Sequence, residues 1–359
     1  MHIQSKFRLL VVRLGAMGDI LHALPAVTAL RMSHPGWVID WVVEPKWQAL
    51  LAAPTSAGRD TESPVALQPV VDRLHLASTK EWRHHPLAGQ TVREIRVLRR
   101  ALRAGEYDTV LDLQGAVRSA VVSRMAGSRR LIGEAVPRER AARWLFHERV
   151  VTHGAHVIEQ DMELAAAVAG DELEPVQPRL PMDPAAEAWA NAIFAGKPSR
   201  STVLINPGAG WGAKRWPVER YAAVAEGLIR HGFRILINIG PGEEPLADVL
   251  VKETGGAATP LACSLGQLIA ITRRITLAVA GDTGPLHLAC ALGKPVVGIY
   301  GPTDPSRNGP YGSRFMVLRS AESRRDHTRY EAPEAGLLTI QPDDVLRAVD
   351  ELLAEEAAQ

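Results

Sequence analysis

Apolar and polar positions in the first half of the chain alternate between short β-branched runs and longer stretches with helical periodicity. The β-branched runs predict strands at 7–14, 37–44, 71–78, 107–114 and 129–135. The stretches between them predict helices at 20–31, 91–104 and 117–126. Strand runs that alternate with helices indicate βαβ units, so we expect the first half to form a mostly parallel sheet.

The composition changes near residue 171. The stretch 171–184 holds four prolines and few aliphatic residues, which is typical of a linker. After a short helix at 184–195 the alternation restarts. It predicts strands at 202–209, 234–241, 275–283 and 295–301, and helices at 217–231, 244–253 and 285–292. A chain of 359 residues also favours two domains over one.

The pattern therefore divides the chain into four segments. They are a first domain over 1–172, a linker over 173–200, a second domain over 201–340 and an amphipathic C-terminal helix over 341–359. In open parallel sheets, ligands bind outside the carboxyl ends of the strands. With two such domains, we expect the site in the cleft between them.

Loops rich in glycine, proline and reactive side chains follow four of the predicted strands. The first loop places Asp19 at a helix start, either as a capping residue or as a catalytic base. The second, 206–217, either exposes Lys214 at the surface or holds a diphosphate through backbone N–H groups and one lysine charge.

The other two loops leave similar alternatives. Glu243 either stabilises the start of a helix or binds a ribose diol. Asp282 ends a strand, and Thr283 and Gly284 precede a helix that carries His287 in its first turn. This arrangement presents a hydroxyl, backbone N–H groups and a positive dipole end, which favours anion binding over a purely structural histidine.

The charges and the remaining motifs exclude several functions. The chain has 41 Lys+Arg and 40 Asp+Glu, a net charge of +1, so no global field draws it to nucleic acid or a membrane. Arginines are nevertheless concentrated at 80–103 and 118–149, as solvated helix faces or as local binding surfaces. Because no signal peptide and no run of 18 apolar residues is present, we expect a cytoplasmic protein.

No simple metal site is expected from the motifs. The chain contains no Asp-x-Asp and no H-E-x-x-H, and its glycines do not form the G-x-G-x-x-G dinucleotide fingerprint. If a diphosphate leaves during the reaction, its charge must then be met by Lys214, a helix N-terminus and local donors.

These motifs, in this order, resemble the lipopolysaccharide heptosyltransferases of glycosyltransferase family 9. The resemblance rests on VVRLGAMGDILHALPA (11–26), DWVVE (40–44), YDTVLDLQGAVRSA (107–120), the stretch 214–217, DTGPLHLA (282–289) and YGPTDP (300–305). DWVVE, DLQG and YGPTDP are more similar to heptosyltransferase I than to heptosyltransferase II. The match spans nearly the whole chain.

The resemblance implies an α/β chain with the GT-B fold, in which two Rossmann-like domains face a cleft and a final helix packs back toward the first domain. It implies inverting transfer of L-glycero-D-manno-heptose from ADP-heptose to a Kdo hydroxyl of Kdo2-lipid A, with no metal or other cofactor. The protein would act as a peripheral enzyme at the cytoplasmic face of the inner membrane, without a nucleic-acid partner.

The resemblance also implies residue roles. Asp19 would be the general base, Lys214 would hold the ADP phosphates and Glu243 would bind the ribose. The expected donor-binding residues are Gly18, Gly208, Ala209, Lys214, Glu243, Asp282, Thr283, Gly284 and His287. The expected acceptor-binding residues are Lys80 and Arg83, from a basic stretch interrupted by Glu81, and Arg118.

Other functions stay open at this point. They are a family 9 transferase with another acceptor, such as heptosyltransferase II, a GT-B-like sugar-nucleotide epimerase, and a nucleotide-sugar-binding protein without turnover. A Rossmann oxidoreductase is disfavoured because the glycine fingerprint is missing.

Overall fold

The computed structural model describes residues 6–54, 68–195, 201–325 and 330–357. They fall into two compact units, Met1–Met182 and Asp183–Gln359. Within the described ranges, no helix has both the length and the apolar character needed to span a membrane.

The first unit is a six-stranded sheet with helices between its strands. Its strands are β1 (Arg8–Val12), β2 (Val38–Val43), β3 (Arg73–Leu76), β4 (Thr109–Asp112), β5 (Arg130–Glu134) and β6 (Glu148–Val150). Its helices are α1 (Met17–Ser33), α2 (Thr79–His84), α3 (Gly89–Ala104), α4 (Val117–Met125) and α5 (Val157–Ala169). Short 3-10 turns span Pro45–Leu50 and Arg140–Leu145.

All strand pairs of this sheet are parallel, in the order β3-β2-β1-β4-β5-β6. The strands beside the centre are buried on both faces, and Leu9 and Leu10 have no exposed surface. This is why β1 reads as a continuous apolar run rather than as an alternating one. The chain order reverses between β1 and β4, and such a switch point opens a crevice at the carboxyl ends of the two strands.

The second unit repeats this topology. Its strands are β7 (Thr202–Asn206), β8 (Arg234–Ile239), β9 (Thr259–Ala262), β10 (Leu277–Gly281), β11 (Val296–Tyr300) and β12 (Phe315–Arg319). Its helices are α6 (Pro184–Phe194), α7 (Val218–Arg230), α8 (Glu244–Glu253), α9 (Leu265–Thr272), α10 (Gly284–Ala291), α11 (Pro305–Asn308) and α12 (Pro342–Ala357). The parallel order is β12-β11-β10-β7-β8-β9, so its switch point lies between β7 and β10.

The predicted strands and helices are confirmed, but the helices α2, α5, α9 and α11 and three strands were not predicted. β6 has only three residues, β9 contains Pro260, and β12 exposes Phe315. All three lie at or near the sheet edges, where one side is open and a clear apolar pattern is not required.

The boundary between the two units lies within the segment predicted as a linker. It falls after Met182, and α6 lies inside the segment 173–200 that was expected to be a linker. Glu187 of α6 accepts from Arg273 and Arg274 of the second unit at 2.6 Å each. The part of the predicted linker from Asp183 onward therefore belongs to the second unit.

The C-terminal helix forms as predicted, and its apolar face packs on the core of the second unit. Val345, Val349 and Leu352 of α12 are buried in the core of the second unit, together with residues of α7 and β11. The indole Nε1 of Trp216 in the second unit donates to the carbonyl of Ile340, just before the helix, at 3.1 Å. Burial of this apolar stripe holds the helix on its own domain.

Candidate active site

The loop after β1 makes a tight turn before α1 begins at Met17. Gly15 has a φ of +152°, and a Cβ atom at this position would lie 2.7 Å from the indole Nε1 of Trp47. Both the backbone conformation and the close approach of the indole require glycine here. The turn directs the first residues of α1 to the carboxyl end of the sheet.

Asp19 lies at the third position of α1, where it caps the helix. Its Oδ2 atom accepts from the backbone N–H of Ala16 at 2.9 Å, and Nη2 of Arg13 lies 3.5 Å from Oδ1. The side chain nevertheless stays 34% exposed. Asp19 can therefore cap the helix and still be reached by a substrate. The neighbouring Gly18 has no side chain that would block access to the carboxylate.

Arg13 is buried beneath this carboxylate, with 7% of its side chain exposed. Its Nε atom makes no hydrogen bond to any other described residue. The buried guanidinium and the partly exposed carboxylate therefore form an ion pair at the start of α1.

The loops after β2 and β4 hold the β1 loop in place. Gln114 Oε1 accepts from the N–H groups of Leu14 and Gly15 at 3.0 and 3.3 Å. Glu44, at the end of β2, donates its N–H to the carbonyl of Leu14 at 3.0 Å. Its carboxylate accepts from the Thr79 hydroxyl and from the Lys80 N–H, so it also caps α2.

This network ties the expected acceptor residues to the loop that carries Asp19. Lys80 and Arg83 are exposed on α2, and Arg118 is exposed in the first turn of α4. The exposed basic residues thus lie on α2 and α4. Glu44 connects α2 to the β1 loop through hydrogen bonds, and Gln114, shortly before α4, also bonds this loop.

Asp112 supports the β4 loop from below. Its Oδ1 atom accepts from the N–H groups of Gln114 and Gly115 at 2.9 Å, and both of its oxygens bond serine hydroxyls, those of Ser119 and Ser123. Burial raises the pKa of Asp112 to about 6, although these hydrogen bonds lower it. The residue is structural and does not face the site.

In the second unit, a buried ionic triad lies at the end of β10. The ammonium of Lys214 forms a close ion pair with Oδ2 of Asp282, and Nε2 of His287 lies 3.3 Å from Oδ1. Burial alone would raise the pKa of Asp282, but His287 and Lys214 hold it well below its usual value. The Lys214 ammonium also lies 4.2 Å from the ring centroid of Trp211.

An amide network joins the β7 loop to the β10 loop. Asn206 Nδ2 donates to the carbonyl of Gly208 at 3.1 Å and to the hydroxyl of Thr283 at 3.3 Å, and Oδ1 accepts from Asn238 Nδ2 at 2.6 Å. Thr283 precedes Gly284, the first residue of α10. The first turn of this helix therefore lies beside the glycine-rich loop.

Glu243 lies directly against this loop. Its Oε2 atom accepts from the N–H of Gly240 at 2.8 Å. A Cβ atom on Gly208 would come within 1.9 Å of Oε1, so only glycine leaves room for the carboxylate. Ala209 follows and is partly exposed. The structure therefore brings the predicted donor residues of the second unit together at one sheet edge.

Gly18 and Asp19 lie in the first unit, apart in the chain from this group. Four buried polar residues at strand ends were not predicted from the sequence: Arg13, Gln114, Asn206 and Asn238. These residues could have been found from the sequence, because each is a polar side chain in or beside an apolar strand run and such buried groups need hydrogen-bond partners. Among the described residues, no cluster of three or more His, Cys, Asp or Glu side chains is placed to hold a metal ion.

Comparisons with known proteins agree with the motifs. The model of glycosyltransferase family 9 (heptosyltransferase) matches residues 95–337. Lipopolysaccharide heptosyltransferase 1 of Escherichia coli (strain K12) is 29% identical over 366 residues, which cover 96% of this chain and 100% of the relative.

Solved structures of E. coli heptosyltransferase WaaC are similar as well. The structure with ADP has a TM-score of 0.77 at 27% identity, covering 96% of this chain and 100% of that chain. The structure with ADP-2-deoxy-2-fluoro heptose has a TM-score of 0.75 at 27% identity, covering 96% and 99%. The predicted GT-B fold of two Rossmann-like domains is thereby confirmed. The chain belongs to glycosyltransferase family 9, the heptosyltransferase family.

Proposed function

We propose that this enzyme transfers L-glycero-D-manno-heptose from ADP-heptose to a Kdo hydroxyl of Kdo2-lipid A, with inversion at the anomeric carbon. The observation that supports this most is the pair of switch points. One holds an accessible carboxylate beside a buried arginine, and the other holds a lysine and a helix N-terminus suited to a diphosphate. The relatives named lipopolysaccharide heptosyltransferase 1 support heptose transfer, and the similar structure with ADP-2-deoxy-2-fluoro heptose supports the donor.

The second unit binds the donor. The Lys214 ammonium has three protons, and one hydrogen bond to Asp282 leaves two for the phosphates. Thr283 and Gly284 offer N–H groups at the start of α10, where the helix dipole favours negative charge. Glu243 takes the ribose hydroxyls, while Asp282 and His287 take heptose hydroxyls. Lys214 and the helix start stabilise the leaving ADP without a metal.

The first unit supplies the base and the acceptor site. Asp19 removes the proton of the Kdo hydroxyl. At the same time, the hydroxyl oxygen attacks the anomeric carbon from the side opposite ADP. A positioned base of this kind contributes roughly 10²–10⁴-fold to the rate. Lys80, Arg83 and Arg118 meet the carboxylates and phosphates of the acceptor. The enzyme is cytoplasmic and meets its lipid at the surface of the inner membrane.

The decisive experiment is an in vitro transfer reaction followed by mass spectrometry. The protein is incubated with ADP-heptose and Kdo2-lipid A, or its deacylated form, with and without EDTA. We expect a product one heptose heavier, formed equally with EDTA. Consumption of the donor without acceptor would indicate an epimerase, and binding of the donor without transfer to Kdo would indicate another acceptor, as in heptosyltransferase II.

Variants of Lys214 test the donor site. Lys214→Met removes the charge that meets the diphosphate, so the KM for the donor rises and kcat falls together. Lys214→Arg keeps the charge and is the matched control, with a smaller loss on both constants. Unchanged kinetics of Lys214→Met would rule out the phosphate role.

A further inference from the structure

One face of the first unit is strongly basic, and it lies along α3. This helix carries five exposed arginines, Arg93, Arg96, Arg99, Arg100 and Arg103. Its one acidic residue is Glu94, which accepts from the indole Nε1 of Trp82 at 2.8 Å and from Gln90 at 2.9 Å. Five positive charges and one negative charge leave the helix with a net charge of +4.

The same face exposes aliphatic side chains among the arginines. Val97 is 58% exposed and lies one turn from Arg93 and Arg100 on the outer side of the helix. Leu87, just before α3, is 93% exposed, and Leu76 on the edge strand β3 is 44% exposed. A groove of about 350 Å³ between β3, α2 and α3 continues this apolar surface inward to Trp82.

We infer that this face, defined by the exposed residues of α3 with Leu76 and Leu87, docks on the surface of a bilayer that contains acidic phospholipids. The arginines match the negative headgroups, and the aliphatic side chains reach the boundary of the acyl region. A soluble polyanion would use the arginines but gain nothing from Leu87 and Val97. The inference rests on the proposed function, because only a lipid acceptor requires the enzyme to work at a bilayer.

The position of α2 connects the docking face to the proposed acceptor site. Trp82 of α2 lines the groove and bonds Glu94 of α3, while Lys80 and Arg83 on the same short helix are exposed. Docking through α3 therefore brings the proposed acceptor-binding residues to the headgroup layer, where the sugar of a membrane lipid is found.

Vesicle flotation of the full chain tests this inference. The probes are vesicles of phosphatidylcholine alone and vesicles with one part phosphatidylglycerol in four. Arg96→Glu/Arg100→Glu is compared with Arg230→Glu/Lys252→Glu, which changes the net charge equally at exposed positions of the second unit. We expect the α3 variant to lose at least about 10-fold in binding to acidic vesicles, and the control to bind like the unaltered chain.

Two further measurements separate docking from catalysis. Leu87→Ser weakens binding to acidic vesicles at high salt, where the headgroup attraction is screened and the apolar contribution dominates. The α3 variant loses kcat/KM for Kdo2-lipid A in vesicles and keeps it for the deacylated, soluble acceptor. Wild-type vesicle binding by the α3 variant, or an equal loss in the control, would overturn the inference. If the unaltered chain transfers heptose to neither acceptor, that result would instead overturn the proposed function.

Discussion

At the scale of single residues, Asp19 caps a helix and stays accessible, so the two roles that the sequence left as alternatives are compatible. It caps α1 through the N–H of Ala16, and it keeps a third of its side chain exposed beside the buried Arg13. A cap uses one carboxylate oxygen, so the other remains available for a proton. The two roles can therefore be separated by substitution.

Asp19→Asn keeps an oxygen that accepts from Ala16 and removes the base. We expect its kcat to fall by at least about 10²-fold. Its Tm and its affinity for ADP should change little. Asp19→Ala removes the cap as well and costs about 1 kcal/mol in unfolding free energy. Turnover assays and thermal melts of both variants check this, and near-normal turnover of Asp19→Asn would contradict the base assignment.

Asp112 predicts a dependence of stability on pH. Burial raises its pKa from 3.8 to about 6, so the folded chain keeps this proton at pH values where the unfolded chain has released it. The stability contributed by the protonated form is complete below pH 3.8 and is lost as the pH rises toward 6, by at most about 1.4 kcal/mol per pH unit.

Asp112→Asn cannot titrate, and its Oδ1 atom can still accept from Gln114 and Gly115. Its Tm relative to the unaltered chain should therefore rise between about pH 4 and pH 6 and stay level above that range. Parallel thermal melts across this range measure the difference. A difference that does not vary with pH would show that Asp112 is ionised throughout.

At the scale of elements, the site depends on loops that hold one another. The β1 loop bonds Glu44 after β2 and Gln114 after β4, and the β7 loop bonds Thr283 after β10. Parallel strands bring their carboxyl ends to one edge, so side chains distant in the chain become neighbours there. The elements thus position the site before any ligand is present.

The packing of the C-terminal helix α12 on the second unit can be tested by substitution. Leu352 of α12 is 2% exposed in the core of the second unit, so Leu352→Ala should cost about 2–5 kcal/mol in unfolding free energy. Arg347→Ala on the exposed side removes only an ion pair with Asp344 and should cost less than about 1 kcal/mol. Chemical denaturation compares them, and equal small losses would show that α12 is not packed there.

At the scale of the whole molecule, two units with one topology divide the chemistry. The expected base lies in the first unit, and the expected diphosphate and ribose contacts lie in the second. In both units the expected functional side chains lie near the switch point, although no sequence repeat joins the two units. A shared strand order can therefore present two different sets of side chains.

This division predicts where ADP protects the chain. In hydrogen–deuterium exchange, ADP alone should slow exchange in the loops 206–217, 240–244 and 281–287 of the second unit. The physical reason is that backbone N–H groups at these strand ends are expected to bind the phosphates, and Glu243 the ribose. At a concentration 100 times its Kd, ADP should also stabilise the chain by about 2.7 kcal/mol. Unchanged exchange in all three loops would contradict the donor site.

The sequence alone determined the features that depend on near neighbours in the chain. Apolar periodicity predicted the central strands and most of the longer helices, although not α5, and glycine, proline and charged residues marked the loops after β1, β7, β8 and β10. The ordered motifs also indicated the family. These signals are local, because a strand, a turn or a helix start is selected by residues a few positions apart.

The contacts of these loops depend on how distant segments of the chain pack together. Lys214 meets Asp282 across 68 positions, and Gln114 meets Leu14 across 100. The short strands β6, β9 and β12 and the placement of α6 and α12 in the second unit were likewise set by packing. Burial energy and hydrogen bonds between distant segments depend on which surfaces meet, and that is fixed only when the sheets assemble.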